Sequence, residues 1–159
     1  MEKVLISACL LGNPVRYDGV ALIVENQTLK QWRKEGRLVP VCPEVAGGLF
    51  VPRPRAEIVG GDGHGVLDGR AGVTDINGQD VTRFFLTGAH KALELALSQE
   101  VKVAVFKEGS PSCGGGYIYD GSFSGIKKPG KGVAAALLEQ NGIRVFSERN
   151  LSEAWRCVK

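Results

Sequence analysis

The chain has 159 residues, 43% of them hydrophobic, which is enough for a sizeable core and the length of one domain. Twenty basic against seventeen acidic residues leave a formal charge of +3, too little for the electrostatic footprint of a dedicated nucleic-acid binder. The opening MEKVLISACLLGNP has an apolar run too short to span a membrane and no basic region followed by a long apolar stretch, so a cytoplasmic protein is expected. There the four cysteines would stay reduced and serve packing, metal ligation or nucleophilic chemistry rather than disulfides.

Lys3 to Cys9, KVLISAC, is short, apolar and β-branched, and reads as a first strand ending against the turn-rich LGNPVRYDG. Asn26 to Glu35 reads as a helix with Asn26 as N-cap, Leu29 and Trp32 on its apolar side and Gly36 as its stop. Leu38 to Val41 is a second strand, and in the CPEVAGGLFVPRPR that follows, prolines and glycines argue against regular structure. From Glu57 to Gly72, apolar alternation around GGDGHG and LDG suggests a β-hairpin or ordered loop standing off the main sheet. Gly78 to Ser98 has the clearest helical period, through Val81, Phe84, Phe85, Ala89, Ala92, Leu93 and Ala96, with Asp80 in its first turn. Val101 to Phe106 is a buried strand that breaks at EGSPSCGGG. Gly132 to Gln140 is a helix closed by Asn141 and Gly142, and Ile143 to Phe146 is a last strand. This order is that of an α/β fold: a mainly parallel, Rossmann-like sheet flanked by helices, with a β-hairpin insertion, in a single domain over residues 1–159.

Cys9 ends the first strand, Cys42 follows the second, and Cys113 lies in the loop after VKVAVF. All three therefore fall at carboxyl ends of parallel strands, where such sheets bind ligands. They are too far apart in sequence for a CxxC knuckle, so the fold must assemble any shared site. Singly, each reads as a small buried hydrophobe, and Cys157 keeps that reading. Three thiolates would fill three corners of a four-iron cluster and leave one iron open, whereas structural zinc takes four protein ligands. His64, in the glycine-rich hairpin, and His90, inside the long helix, are poor candidates for a fourth ligand.

The segments SACLLGNPVRYDG, PVCPEVAGGLFVPRP and FKEGSPSCGGG resemble the three signature blocks of the bacterial thiouracil desulfidase family, catalogued as domain of unknown function 523. The similarity runs from about residue 3 to residue 146. It implies an α/β fold carrying a [4Fe-4S] cluster on Cys9, Cys42 and Cys113. It also implies a non-redox desulfuration in which water replaces the sulfur of a thiolated pyrimidine such as thiouracil, releasing sulfide and uracil. Glu44 and Ser110 match the family's acid/base and hydroxyl positions. Longer relatives carry a second domain and have been linked to thiolated tRNA. Without that domain the expected substrate is a free base or nucleoside, and neither thiolated tRNA, DNA nor a membrane is an expected partner.

Exchanging C=S for C=O needs an electrophilic carbon, an activated water and a destination for sulfur. Glu44 could exchange a proton with that water, or could merely cap a helix. Ser110 and Ser112 could donate to the pyrimidine or to cluster sulfides, and the glycines after Cys113 would let backbone approach the cluster, although the same residues also favour an ordinary turn. Arg16 could orient substrate or form a surface ion pair. The basic GSFSGIKKPGKG could cover the site, but it lacks the GxxxxGK[ST] spacing of a phosphate loop, and Lys127, Lys128 and Lys131 read as solvated. Two alternatives stand beside the desulfidase: Cys113 as a metal-free nucleophile or persulfide carrier, and a cluster-based sensor without turnover.

Overall fold

The computed structural model describes residues 1–20 and 24–159. In chain order its elements are β1 (Val4–Ser7), a 3-10 turn (Ala8–Leu10), α1 (Gln27–Lys34), β2 (Leu38–Val41), α2 (Pro43–Ala46), β3 (Ala56–Val59), α3 (Gly63–Leu67) and β4 (Gly72–Asp75). Then come α4 (Thr82–Ser98), β5 (Val103–Phe106), β6 (Tyr117–Tyr119), β7 (Lys127–Pro129), α5 (Val133–Gln140), β8 (Arg144–Ser147) and α6 (Leu151–Cys157). Among the described residues no helix is long and apolar enough to cross a membrane.

The main sheet is fully parallel, in the order β2-β1-β5-β8. Because β1 and β5 are buried on both faces, their sequences VLIS and VAVF are continuously apolar rather than alternating. Leu5, Ala104 and Phe106 turn to one face, where they join Phe85, Ala89 and Ala92 of α4 and Ala134, Ala135 and Leu138 of α5. Val4, Ile6, Val103 and Val105 turn to the other, against Leu29 and Trp32 of α1 and Leu151 and Ala154 of α6. The chain leaves β1 in opposite directions, first to β2 and later to β5, so the sheet's switch point lies at the carboxyl end of β1. Cys9 stands there.

The α/β class, the parallel sheet and the insertion agree with the sequence reading, while several local expectations are corrected. β1 stops at Ser7, and Cys9 lies beyond it in the 3-10 turn. The segment after Cys42 does form a short helix, because Pro43 sits at its first position, where no backbone N–H is needed. Strands β3 and β4 pair antiparallel off the main sheet as expected, but α3 rather than a tight turn joins them, so His64 is helical. Helix α4 begins at Thr82, with Asp80 ahead of it accepting the Thr82 N–H (2.9 Å). GSFSGIKKPGKG is the far part of a second hairpin, β6 with β7, and the C-terminus adds α6. Asn26 caps α1 as expected, accepting from Thr28 N–H at 2.8 Å.

Two glycines fix where α2 stands. A Cβ on Gly47 would strike the Phe84 carbonyl, and one on Gly88 would strike the Pro43 carbonyl, so α2 and α4 meet backbone to backbone. Gly88 costs α4 about 1 kcal/mol of helix propensity relative to alanine, and in return seats the segment that carries Cys42 and Glu44.

Candidate functional site

The carboxyl edge of the sheet opens into a cavity of about 350 Å³. Cys9, Cys42 and Cys113 all line it, as do Arg16, Glu44, Ser110 and Ser112, so one space gathers every residue singled out from the sequence as ligand, acid/base or substrate contact. Cys9 and Cys113 are 8% and 5% exposed, and Cys157 lies elsewhere, 3.1 Å from an Arg144 guanidinium nitrogen. His64 bonds Gln140 on the surface (3.1 Å) and His90 is exposed on α4. Neither reaches the cavity.

Burial governs the thiols. It pushes Cys9 up to about 11, with the nearby Cys42 adding to the rise and Arg16 and Lys107 opposing it. Burial likewise raises Cys113, against hydrogen bonds from Ser7 and Ser112 and with the approach of Cys9 and Cys42 raising it further. Cys42 is raised by burial too, partly offset by the Val45 N–H at the start of α2. The three sulfurs thus sense one another across the same space. Even so, no group of three His, Cys, Asp or Glu side chains among the described residues is arranged to hold a single ion. Three soft thiolate donors lining one cavity fit an iron-sulfur cluster, whose irons each take a different thiolate.

Beside the sulfurs lies a carboxylate-hydroxyl group. Glu44 Oε2 accepts from Ser112 Oγ at 2.8 Å and from Ser110 Oγ at 3.3 Å, and the two hydroxyls are 2.9 Å apart. Ser112 Oγ also lies 3.6 Å from Cys113 Sγ. Ser110 Oγ accepts the N–H groups of Ser112 and Cys113, both at 3.1 Å, which fixes the turn that presents Cys113. Of the two serines, the family resemblance singles out Ser110. In the structure Ser112 makes the shorter bond to Glu44 and is the more deeply buried, at 2% exposure.

Several residues of the site have no counterpart among the sequence candidates. Arg53 pairs with Glu44 (3.1 Å) while donating to the carbonyls of Val15 (3.0 Å) and Phe50 (3.1 Å), so it joins the Arg16 loop to α2. Its side chain is 6% exposed, and nothing in VPRPR distinguishes it from the neighbouring arginine. Glu108 Oε1 accepts the N–H groups of Gly115 (3.1 Å), Gly116 (2.8 Å) and Tyr117 (3.2 Å). Burial pushes its carboxyl up, but those donors outweigh it and hold the group below the usual carboxylate range. Ser7, at the end of β1, accepts the Lys107 N–H (2.9 Å) and reaches Cys113, and so joins the loops after β1 and β5. The GGG after Cys113 does not line the cavity. A Cβ on Gly114 would meet the carbonyls of Tyr117 and Ser110 at 2.6 and 2.8 Å, so that glycine lets the loop close on itself.

Comparison with known proteins agrees with this geometry. The family model described as 2-thiouracil desulfurase matches residues 4–150. The Bacillus subtilis (strain 168) protein YbbK is 44% identical over 150 residues, covering 94% of this chain and 98% of its own. Among solved structures, the [4Fe-4S]-dependent thiouracil desulfidase TudS is 46% identical and superposes with a TM-score of 0.90 over 99% of this chain and 97% of its own. Matching the family over nearly its whole length, with its cysteines and its carboxylate gathered at one sheet edge, the chain belongs to the 2-thiouracil desulfurase family.

Proposed function

We propose that this protein is a [4Fe-4S]-dependent desulfidase that replaces the sulfur of a small thiolated pyrimidine, with thiouracil as the type substrate, by the oxygen of water. The observation that carries the reading is the single cavity in which Cys9, Cys42 and Cys113 meet the Glu44, Ser110 and Ser112 group. Cys9, Cys42 and Cys113 would hold the cluster, which when bound supplies a Lewis acid for the sulfur at the iron that no cysteine occupies.

The chain's own residues supply the proton chemistry. Glu44, held by Arg53 through Oε1, keeps Oε2 directed at the two serines, placed to take a proton from the water that adds to the thiocarbonyl carbon. As the C–S bond breaks, Glu44 delivers that proton to the departing sulfur and the proton left on the added hydroxyl passes to solvent, so the products are uracil and hydrosulfide with no change of oxidation state. Ser110 and Ser112 relay hydrogen bonds between this carboxylate and the Cys113 end of the cavity. Arg16, which lines the cavity and forms no ion pair among the described residues, orients the pyrimidine. The reaction suits a reducing compartment such as the cytoplasm, where the four cysteines remain free thiols or thiolates.

The metal-free nucleophile reading fares worse, because it employs Cys113 alone and leaves Cys9 and Cys42, which line the same cavity, without a role. The test is anaerobic reconstitution with iron and sulfide, followed by assay of sulfide released from 2-thiouracil. A brown protein that releases sulfide and uracil in equal amounts is expected. A protein that takes up iron but releases no sulfide would leave a cluster-based sensor in its place.

A further inference from the structure

Besides the residues around the sulfurs, the cavity is lined by Arg55, Glu57, Tyr119 and Gly125, from the start of β3 and from the β6–β7 hairpin. Glu57 is unusual among them, a carboxylate only 7% exposed. A buried carboxylate is costly unless its oxygens are satisfied. Its Oε1 accepts the N–H groups of Gly121 (2.9 Å) and Phe123 (3.2 Å). Those bonds hold the hairpin tip against β3, with Phe123 kept at φ 57 and its carbonyl taken by Arg55 at 3.3 Å. No protein group bonds Oε2 among the described residues. Glu57 itself lines the cavity.

We infer that Glu57 is a substrate-binding residue whose Oε2 accepts a hydrogen bond from a ring N–H of the thiolated pyrimidine. The inference rests on the desulfidase reading for the identity of the substrate. Cyclic thioamides carry an N–H next to the thiocarbonyl carbon, and a fixed carboxylate oxygen is a strong, directional acceptor for it. The two backbone donors on Oε1 prevent the carboxylate from turning away. A site built to pair with an N–H discriminates against analogues that lack one, because the buried acceptor is then left unmatched. Glu57 would therefore select pyrimidines unsubstituted at one particular ring nitrogen.

The test uses Glu57→Gln in the reconstituted protein. The amide oxygen can still accept from Gly121 and Phe123, which places the amide NH2 where Oε2 stood, donor facing donor. Slow hydrogen exchange at those two amides, retained in the variant, verifies that the hairpin is still held. KM for 2-thiouracil should rise about tenfold or more with a smaller change in kcat, and calorimetric affinity for uracil should fall by a similar factor. One of 1-methyl- and 3-methyl-2-thiouracil should be about tenfold poorer than 2-thiouracil for the wild type, and that discrimination should collapse in the variant. Unaltered uracil affinity and unaltered methyl discrimination would overturn the inference. Uracil binding that depends on Glu57 without any sulfide release would instead overturn the desulfidase reading and leave the binding role standing.

Discussion

The two walls of the cavity are built by different physics. On the sulfur side, β1 and β5 bury every residue, α2 locks onto α4 through paired glycines, and the thiols sit on turns anchored directly to that core. On the other side, β6 and β7 are mostly part-exposed, and of their residues only Ile118 enters the core. That wall is held instead by two carboxylates, Glu57 accepting two backbone N–H groups and Glu108 three. Hydrophobic burial thus positions the three thiols, and charge-assisted hydrogen bonds position the wall proposed to meet the substrate. Substitutions should be able to disable one wall while sparing the other.

The largest effects should come from the sulfur wall. Cys9→Ala, Cys42→Ala or Cys113→Ala should each abolish sulfide release and leave the anaerobically reconstituted protein without its visible absorption, read by spectrophotometry and iron content. Next, Glu44→Gln should retain the colour and iron but lower kcat by about 10²-fold or more, the usual loss when a positioned acid/base group is removed. Full activity in that variant would remove Glu44 from the chemistry. Gly88→Ala should destabilise the protein by about 1–3 kcal/mol despite alanine's better helix propensity, because the added methyl forces α2 off α4. Chemical denaturation measures it, and a gain in stability would show that the contact can relax.

The substrate wall should instead respond to acid. Ionised Glu108 has its carboxyl held below the usual range, so its contribution is fully present above the unfolded carboxylate value of about 4.5. It is lost as pH falls through the lower folded value. The Tm difference between wild type and Glu108→Gln should therefore be greatest near neutrality and shrink on acidification below about pH 4.5. A difference independent of pH would mean that the loop is held by shape alone. The smallest effect belongs to Cys157→Ser, far from both walls, where unchanged iron content and activity are expected.

How much could be read from the sequence divides along the same line. Parallel strands buried on both faces leave continuous apolar runs, so VLIS, VAVF and the strand ends that carry the cysteines were legible. Glu57 and Glu108 were not, because a carboxylate that accepts backbone N–H groups from distant turns looks in sequence like any surface acid. GSFSGIKKPGKG hid a strand for a related reason: KKP has no apolar alternation, and only pairing with Tyr117–Tyr119 makes it β. Arg53 was invisible because its partner Glu44 comes from another element. The short α2 was masked by Pro43, which breaks helices in their interior and starts them at their first position.

Ser7 links the loops that follow β1 and β5, two strands that are neighbours in space but separated in the chain by α1, β2, α2, the whole first hairpin and α4. Parallel pairing over such a distance closes late in folding, because the loop entropy must be overcome before any contact rewards it. Cys113 cannot meet Cys9 until that closure is complete. A centre that needs both thiols is thereby tied to this long-range pairing, and molecules in which it has not formed offer at most a partial set of thiols.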